Sequence, residues 1–281
     1  MTQHFVVIGN PINHSKSPEI HQTFAAQTDI DIRYQRQYCP DNEASFVAVV
    51  EAFFYGGGVG ANVTVPFKQI AFSHCQTQGG LSEHARVAGA VNTLLIKDGA
   101  VYGDNTDGQG LVNHIISLGW PLDGARVAII GAGGAARGVV LPLIEAGIAS
   151  LTIANRTLSK AQTLVTELSA ASQTIERQAI ATCTTAELTG EFDLIINATS
   201  IGLTGDTLPI ADSLNTHYAY DMMYGRALPF LQHFTRRGAQ VSDGYGMLIN
   251  QAALSFERWT GQAVEVAAAT KDLQSPSAKA F

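Results

Sequence analysis

Three small residues mark a candidate phosphate-binding turn near the middle of the chain. Gly131, Gly133 and Ala136 fit the pattern GxGxxG/A within the segment GAGGAA. An apolar run at 127–130 predicts a buried strand before the segment, and an amphipathic stretch at 134–146 predicts a helix after it. The first glycine permits a tight turn, the second lets a pyrophosphate approach the backbone, and the helix N-terminus supplies free N–H groups. We therefore expect a dinucleotide site here; the alternative is a glycine-rich turn with no ligand.

The residues after the next predicted strand indicate which dinucleotide is bound. A site for NAD carries an acidic residue about 20 residues beyond the glycines, which accepts a hydrogen bond from the ribose 2′-hydroxyl. This chain instead has Asn155, Arg156 and Thr157, with Lys160 one helical turn further on. A guanidinium binds a phosphate through two hydrogen bonds, and the lysine adds charge on the same face. The pattern favours the 2′-phosphate of NADP; the alternative is that both cations are solvated, and we expect Thr157 to cap the helix in either case.

Polar residues upstream of the glycines are candidates for binding and converting a substrate. Small hydroxyl and amide side chains suit a polyhydroxylated ligand, because each ligand hydroxyl needs a placed partner. The group also contains one lysine, Lys68, and one aspartate, Asp107. A lysine ammonium can stabilise the alkoxide that hydride transfer to a carbonyl creates and can supply its proton, and an aspartate can orient the lysine. The segments are NHSKSP at 13–18, NVTVPFK at 62–68, GAVNT at 89–93 and GDNTD at 103–107.

Each of these residues also has a purely structural interpretation. Ser17 precedes a proline and a glutamate and is well suited to cap a helix. Asp107 could cap the helix predicted at 108–118, and His21 fits a structural role better than a catalytic one. A lysine at a helix start is usually a surface residue, but it opposes the helix dipole there, which makes Lys68 unusual.

The elements that must position these residues alternate between short β-branched runs and longer amphipathic stretches. This alternation predicts an α/β fold with parallel βαβ units and right-handed crossovers. Strands are predicted at 5–8, 30–38, 60–63, 127–130, 151–154, 192–196, 219–222 and 240–242, with a hairpin through 89–102 that turns at Asp98-Gly99. Helices are predicted from Ser17 and at 43–55, 108–118, 134–146, 158–168, 229–237 and about 247–259. The tail after Thr270 has no pattern of its own.

Composition excludes several classes of protein. The chain has 281 residues and a net charge of −7, which argues against a nucleic-acid surface. Its three cysteines form no CxxC pair, so neither a metal site nor a disulfide framework is indicated. No apolar run approaches the roughly 20 residues that cross a bilayer. We expect a cytoplasmic protein that binds small molecules, with no membrane or nucleic-acid partner, as a monomer or homodimer.

Taken together, the segments resemble the shikimate dehydrogenase family, in the family's order and over almost the whole chain. The resemblance adds further segments to those above: GAGGAARG at 131–138, NRT at 155–157, NATS at 197–200, Tyr224, and DGYGML at 243–248. It implies an N-terminal substrate domain at 1–106, a Rossmann-type NADP domain at 107–243, and C-terminal helices at 244–281 that return to the first domain. Many relatives carry a proline and a threonine after the tyrosine, whereas here GRALPF follows Tyr224, which leaves the shape of that loop open.

The resemblance also implies a reaction and a role for each residue. The reaction is the NADPH-dependent reduction of 3-dehydroshikimate to shikimate in aromatic amino-acid biosynthesis, with Lys68 and Asp107 as the catalytic pair. The residues implied to bind substrate are Ser15, Ser17, Thr64, Asn92, Tyr224 and Gln251. Those implied to bind NADP are Gly131, Ala132, Gly133, Gly134 and Ala135 at the pyrophosphate, Asn155, Arg156, Thr157 and Lys160 at the 2′-phosphate, and Thr199, Met223 and Gly244 beside the nicotinamide.

Three alternatives stay open at this point. A quinate/shikimate dehydrogenase that accepts NAD would carry an acidic residue near Asn155. A non-catalytic NADP sensor on the same scaffold would have lost Lys68 or Asp107. A methylene-tetrahydrofolate dehydrogenase has a similar two-domain layout, but the paired serines fit a hydroxylated acid better than a pterin.

Overall fold

A computed structural model describes residues 1–201 and 208–274. The chain divides into two compact units, Met1–Gly110 with the chain from Ile249 onward, and Leu111–Leu248. The divisions fall a few residues beyond the predicted boundaries at 106 and 243. Each unit has its own sheet, so the predicted α/β class with two domains is confirmed.

The first unit contains a mixed five-stranded sheet. Its strands are β1 Gln3–Gly9, β2 Ile32–Tyr38, β3 Gly60–Val63, β4 Thr93–Lys97 and β5 Ala100–Asp104, in the spatial order β2-β1-β3-β4-β5. The first three strands are parallel, and β4 and β5 pair antiparallel. Because β1 is an interior strand with neighbours on both sides, its apolar residues 5–8 are buried on both faces of the sheet. The hairpin turns at Asp98 (φ 53°) and Gly99 (φ 81°), where both residues adopt the left-handed conformation that an Asp-Gly turn favours.

The second unit contains a six-stranded parallel sheet. Its strands are β6 Arg126–Ile130, β7 Ser150–Asn155, β8 Ile180–Thr184, β9 Gly190–Asn197, β10 Leu214–Asp221 and β11 Gln240–Ser242, in the order β11-β10-β9-β6-β7-β8. The strand order reverses where β6 lies beside β9. In a doubly wound sheet this reversal, at the carboxyl ends of the strands, is where ligands bind. Ile130 pairs with Asn197, and Asn197 pairs with Asp221, so the last residues of three adjacent strands form one row.

Helices connect the strands of both units. They are α1 Ser17–Ala25, α2 Glu43–Tyr55, α3 Lys68–Gln78, α4 Glu83–Ala88, α5 Asp107–Ser117, α6 Gly134–Glu145, α7 Leu158–Ala171, α8 Gln173–Glu176, α9 Pro229–Thr235, α10 Tyr245–Thr260 and α11 Val266–Gln274. Within the described ranges, no helix is both long enough and apolar enough to cross a bilayer.

Four elements were missing from the sequence prediction: β8, α4, α8 and α11. The prediction of a tail without structure after Thr270 is wrong up to Gln274, because α11 continues to that residue. This helix follows a tertiary contact that the sequence does not reveal, in which Glu265 N–H donates to Gln27 Oε1 (2.8 Å) and Gln27 Nε2 donates to Glu265 O (3.2 Å).

Of two predicted helix caps, one is wrong and the other is confirmed in position only. Lys16, rather than Ser17, is the N-cap residue of α1, and Ser17 is the first residue of the helix. The Ser17 hydroxyl instead accepts a hydrogen bond from Ser15 Oγ at 3.2 Å. Thr157 does occupy the N-cap position of α7, but its side chain makes no capping hydrogen bond.

Candidate active site

Lys68 and Asp107 form an ion pair in the first unit. Lys68 is the first residue of α3 and Asp107 the first residue of α5, so two helix starts present the pair. Lys68 Nζ lies 2.6 Å from Asp107 Oδ2, and the two side chains are 30% and 24% exposed. The pair is thus partly shielded yet still open to a ligand. The carboxylate also explains why a lysine is tolerated at a helix start, where the dipole alone would disfavour it.

Asn92 fixes the other oxygen of the Asp107 carboxylate. Its Nδ2 donates to Asp107 Oδ1 at 2.9 Å and lies 3.2 Å from Gln251 Oε1. Its Oδ1 accepts from the Thr106 backbone N–H at 2.9 Å. Because Asn92 is only 2% exposed, the amide is held on all sides. The carboxylate therefore keeps Oδ2 directed at the lysine.

Gln251 reaches this cluster from α10, far along the chain. A side chain at Gly110 would place its Cβ 2.7 Å from the Gln251 backbone N, so only glycine permits α5 and α10 to approach this closely. One turn later, Ser255 Oγ accepts from Asn62 Nδ2 at 3.1 Å and lies 2.7 Å from Thr93 Oγ1. Sequence reasoning missed Asn62, Thr93 and Ser255 as parts of this network, although Asn62 and Thr93 lie in segments it had singled out.

Ser15 and Ser17 lie side by side at the start of α1. Ser15 Oγ accepts from the Ser17 backbone N–H at 3.3 Å. Arg36, on β2, fixes this segment from outside: its Nε and Nη2 donate to the Ser15 carbonyl at 2.9 and 2.7 Å, and it pairs with Glu19 at 2.6 Å. Paired hydroxyls of this kind can donate to a carboxylate. No feature of the sequence singled out Arg36.

Thr64 follows β3 and is held against the end of β1. Its backbone N–H donates to Ile8 O at 3.0 Å. A Cβ at Gly9 would lie 2.5 Å from Thr64 Cγ2, so a side chain there would displace the threonine. Thr64 is half-buried, which leaves its hydroxyl available to a ligand.

An ion pair between a buried carboxylate and a half-buried arginine, which the sequence did not indicate, supports the same unit. Asp104 is 3% exposed and pairs with Arg258 of α10. The Asp104 carboxylate also accepts from the Asn105 backbone N–H at 2.7 Å. The pair fastens α10, and with it Gln251, to β5.

In the second unit, the glycine-rich turn has room for a phosphate. Gly131 has φ +120° and lies against Ala198, whose carbonyl oxygen would be 3.1 Å from an added Cβ. Gly133 and Gly134 have open space where a side chain would be, and both are exposed, as is Ala135. The N-cap residue of α6, Gly133, offers no side-chain acceptor to the free N–H groups of the first turn. Ala132 is half-buried and Ala136 is buried where helix and strand meet. The residues therefore fit a pyrophosphate.

Two exposed cations follow β7. Arg156 and Lys160 make no ion pair with another residue of the described part of the chain. Asn155 is half-buried, and its Nδ2 donates to the Thr157 carbonyl at 2.9 Å, which shapes the turn that carries both cations. The site lacks the carboxylate that would bind a ribose 2′-hydroxyl, and the residues fit a 2′-phosphate.

Thr199, Met223 and Gly244 lie on loops at the carboxyl ends of β9, β10 and β11. Thr199 donates to Asn197 Oδ1 through its backbone N–H (3.1 Å) and its hydroxyl (2.7 Å). Met223 accepts on its carbonyl from the Gly244 backbone N–H at 2.9 Å. A side chain at Gly244 would collide with the Met222 carbonyl, so the close approach of these loops requires glycine.

Tyr224 continues the second of these loops. Its ring lies 5.9 Å from that of Tyr245, and burial, followed by the charge of Asp243, raises the pKa of its phenol. The chain then turns at Gly225, whose φ of +76° suits glycine. Tyr224 is 39% exposed and can therefore present its hydroxyl to a ligand.

The described residues contain no group of three or more His, Cys, Asp and Glu side chains placed to hold a metal ion.

Three family models match the chain in order. They are the shikimate dehydrogenase substrate binding domain at 7–94, shikimate/quinate 5-dehydrogenase at 111–204, and the shikimate 5′-dehydrogenase C-terminal domain at 244–274. The chain is 71% identical to a shikimate dehydrogenase (NADP⁺) of Psychrobacter cryohalolentis, over 99% of this chain and 100% of that protein.

Solved structures agree. An Ael1 enzyme from Pseudomonas putida has a TM-score of 0.89 at 38% identity, covering 98% of this chain and 99% of its own. Shikimate 5-dehydrogenase from Thermus thermophilus, in complex with NADP(H) and shikimate, has a TM-score of 0.80 at 28% identity, covering 96% and 97%. The chain thus belongs to the shikimate dehydrogenase family, as its sequence segments suggested.

Proposed function

We propose that this protein catalyses the reversible, NADPH-dependent reduction of 3-dehydroshikimate to shikimate, a step in aromatic amino-acid biosynthesis. The observation that carries the proposal is the Lys68–Asp107 pair, with Nζ and Oδ2 2.6 Å apart and Asn92 holding the second carboxylate oxygen. Membership of the family supports it, as does the name of the relative that is 71% identical, a shikimate dehydrogenase (NADP⁺). The intact pair argues against a non-catalytic NADP sensor.

The pair would act on the oxygen of the reacting carbonyl. Lys68 would donate a hydrogen bond to that oxygen, and its charge would stabilise the alkoxide as it forms. It would then pass a proton to the alkoxide, with Asp107 keeping the ammonium oriented. Bound NADPH would supply the hydride. In the reverse direction Lys68 would take the proton from the shikimate hydroxyl.

The remaining polar residues of the first unit would orient the substrate. Ser15 and Ser17 would donate to its carboxylate from the start of α1, and the family resemblance implies that Tyr224 also binds the substrate. Thr64, Asn92 and Gln251 would bind ring hydroxyls. Hydrogen bonds fix the directions of the Asn92 and Gln251 side chains, which favours one ring orientation.

The second unit would bind NADP in preference to NAD. Residues 131–135 would hold the pyrophosphate at the N-terminus of α6. Asn155, Arg156, Thr157 and Lys160 would surround the 2′-phosphate, while Thr199, Met223 and Gly244 would line the nicotinamide. The absence of an acidic residue after β7 argues against the NAD-accepting quinate/shikimate type. We also propose a reducing, cytoplasmic location, since Cys39, Cys75 and Cys183 are all unpaired.

A spectrophotometric assay tests the proposal. It follows reduction of NADP with shikimate and then with quinate, and both measurements are repeated with NAD. We expect efficient turnover for shikimate with NADP and far weaker turnover in the other three combinations. Comparable kcat/KM with NAD and NADP would contradict the cofactor assignment, and a preference for quinate would contradict the substrate.

A further inference from the structure

Two buried side chains join all the loops proposed to line the nicotinamide. Asn197 ends β9 and Asp221 ends β10, in register with each other, and they are 0% and 2% exposed. Asn197 Nδ2 donates to Asp221 Oδ2 at 2.9 Å. Neither residue belongs to the set that the family resemblance implied for substrate or cofactor.

Each side chain also accepts a hydrogen bond, on the oxygen that faces away from its partner, from a backbone N–H of a loop proposed to line the cofactor. Asn197 Oδ1 accepts from Thr199 N–H at 3.1 Å, and Asp221 Oδ1 accepts from Met223 N–H at 2.9 Å. Beyond these, Thr199 Cγ2 would be 3.1 Å from a Cβ on Gly131, and Gly244 N–H donates to the Met223 carbonyl at 2.9 Å. One continuous chain of contacts therefore runs from the glycine-rich turn to the loop after β11.

The chemistry of this chain of contacts permits few residue types. A backbone N–H stands at both ends, so each side chain must turn an acceptor outward. Where the two side chains meet, one must donate and the other accept. Two amides would face each other with two donors, and two carboxylates with two buried negative charges. One amide and one carboxylate satisfy all positions, in either order.

The carboxylate is unusual for its surroundings. No ion pair to Asp221 is found among the described residues, and burial raises its pKa, against the hydrogen bonds from Asn197 and Met223. A buried carboxylate without a cation costs stability. What the carboxylate does provide is orientation. It accepts from Asn197 Nδ2, so the amide oxygen of Asn197 points toward Thr199 and holds that residue in position.

We infer that Asp221 and Asn197 are positioning residues that set the nicotinamide-side loops of Thr199 and Met223 in one arrangement. This inference rests on the proposed function, because it takes these loops as the nicotinamide site. The pair acts through the loops, without touching the reacting atoms. We therefore expect substitutions in the Asn197–Asp221 pair to affect binding and use of the nicotinamide end of NADPH and to leave binding of the adenosine end unchanged.

The test uses a swap of the two residue types in the full-length protein. In Asp221→Asn two amide donors meet, so a loop contact is lost, and kcat/KM for NADPH should fall by about 10- to 100-fold. The double variant Asn197→Asp, Asp221→Asn restores every hydrogen bond in the opposite order and should recover to within about threefold of wild type. Affinity for 2′,5′-ADP, a probe of the adenosine end alone, should stay within about twofold in all variants.

Asp193→Asn is the matched control. Asp193 Oδ2 also accepts from a backbone N–H, that of Arg126 at 2.7 Å, but it lies near the amino ends of the strands, away from the ligand side. This variant should leave kcat/KM within about twofold of wild type. Thermal unfolding of all variants separates folding from positioning.

Three results would overturn the inference. They are near-normal kcat/KM in Asp221→Asn, failure of the swapped variant to recover or to fold, and a fall in 2′,5′-ADP affinity that parallels the fall for NADPH. Should the wild type lack turnover with 3-dehydroshikimate, the proposed function fails instead. The ratio of NADPH affinity to 2′,5′-ADP affinity in the same variants then still decides the role of the pair.

Discussion

Replacing Lys68 by methionine should lower the rate of the reaction far more than it lowers the stability of the fold. The variant therefore separates the two roles that the Lys68–Asp107 pair could have. Methionine keeps an unbranched side chain that extends as far as Cε, and it removes the ammonium. The Lys68 and Asp107 side chains are 30% and 24% exposed, so solvent screens their attraction, and losing it should cost about 1 kcal/mol of unfolding free energy or less. Asp107 keeps its bond from Asn92 at 2.9 Å and does not become an isolated buried charge.

The cost to the reaction should be much larger. A positioned proton donor typically contributes about 10²- to 10⁴-fold to the rate. A loss of about 10³-fold corresponds to about 4 kcal/mol of transition-state stabilisation, several times the expected loss of stability. The residues proposed to bind NADP belong to the second unit, whereas Lys68 belongs to the first, so cofactor affinity should stay within about twofold of wild type.

The assay measures kcat from NADPH oxidation with 3-dehydroshikimate, with NADPH affinity by fluorescence and unfolding by urea. Lys97→Met is the matched control, because Lys97 ends β4 and lies 4.7 Å from the Tyr102 ring centre, away from the proposed site. It should keep normal turnover. If Lys68→Met kept kcat within about tenfold of wild type, Lys68 would not be the proton donor. In the double variant Lys68→Met, Asp107→Asn, the loss of kcat should be smaller than the product of the losses in the two single variants. Losses that multiply would show that the two residues do not act as a unit.

Three further predictions concern the cofactor site and the core. Replacing both Arg156 and Lys160 by alanine should raise KM for NADPH by about 10- to 100-fold and leave KM for NADH unchanged. An equal rise in the two KM values would contradict a 2′-phosphate site. Gly133→Ala meets open space, so unfolding free energy should change by less than about 0.5 kcal/mol while NADPH binding weakens. Gly131→Ala, at φ +120°, should instead lose about 1–3 kcal/mol in the same urea titration, and equal stability losses would refute the distinction. Burial lowers the pKa of His21 from 6.5 to about 3, so its neutral form stabilises the fold fully above pH 6.5 and that stability is lost as the pH falls toward 3. The loss should be about 1.4 kcal/mol per pH unit, and His21→Phe should reduce the pH slope by that amount; an unchanged slope would exclude His21 as its source.

Much of the fold was predictable because its signals are local. The apolar runs of β1, β3 and β6 and the helical spacing of α2 follow from backbone periodicity, which neighbouring residues set. The Asp-Gly turn at 98–99 has the left-handed conformations that these residue types favour. Elements with weak local signals were missed. The strand β8 is short and its side chains are only partly buried, so it lacks a continuous apolar run. The helix α11 follows a tertiary contact between Gln27 and Glu265, which the local sequence does not reveal.

For the candidate site, the sequence determined residue types and tertiary structure decided partners and directions. The types and spacing near Gly131 and Arg156 indicated a dinucleotide and favoured NADP, because a phosphate cradle is built from consecutive residues. Local spacing did not give the partner of Asp107, since Lys68 lies 39 positions away along the chain, and only the family resemblance implied the pair. Gln251 lies 159 positions from Asn92, and the Asn197–Asp221 contact depends on the register of two strands. A hydrogen bond needs a donor within about 3 Å and in line, and only packing of distant segments fixes both the distance and the direction.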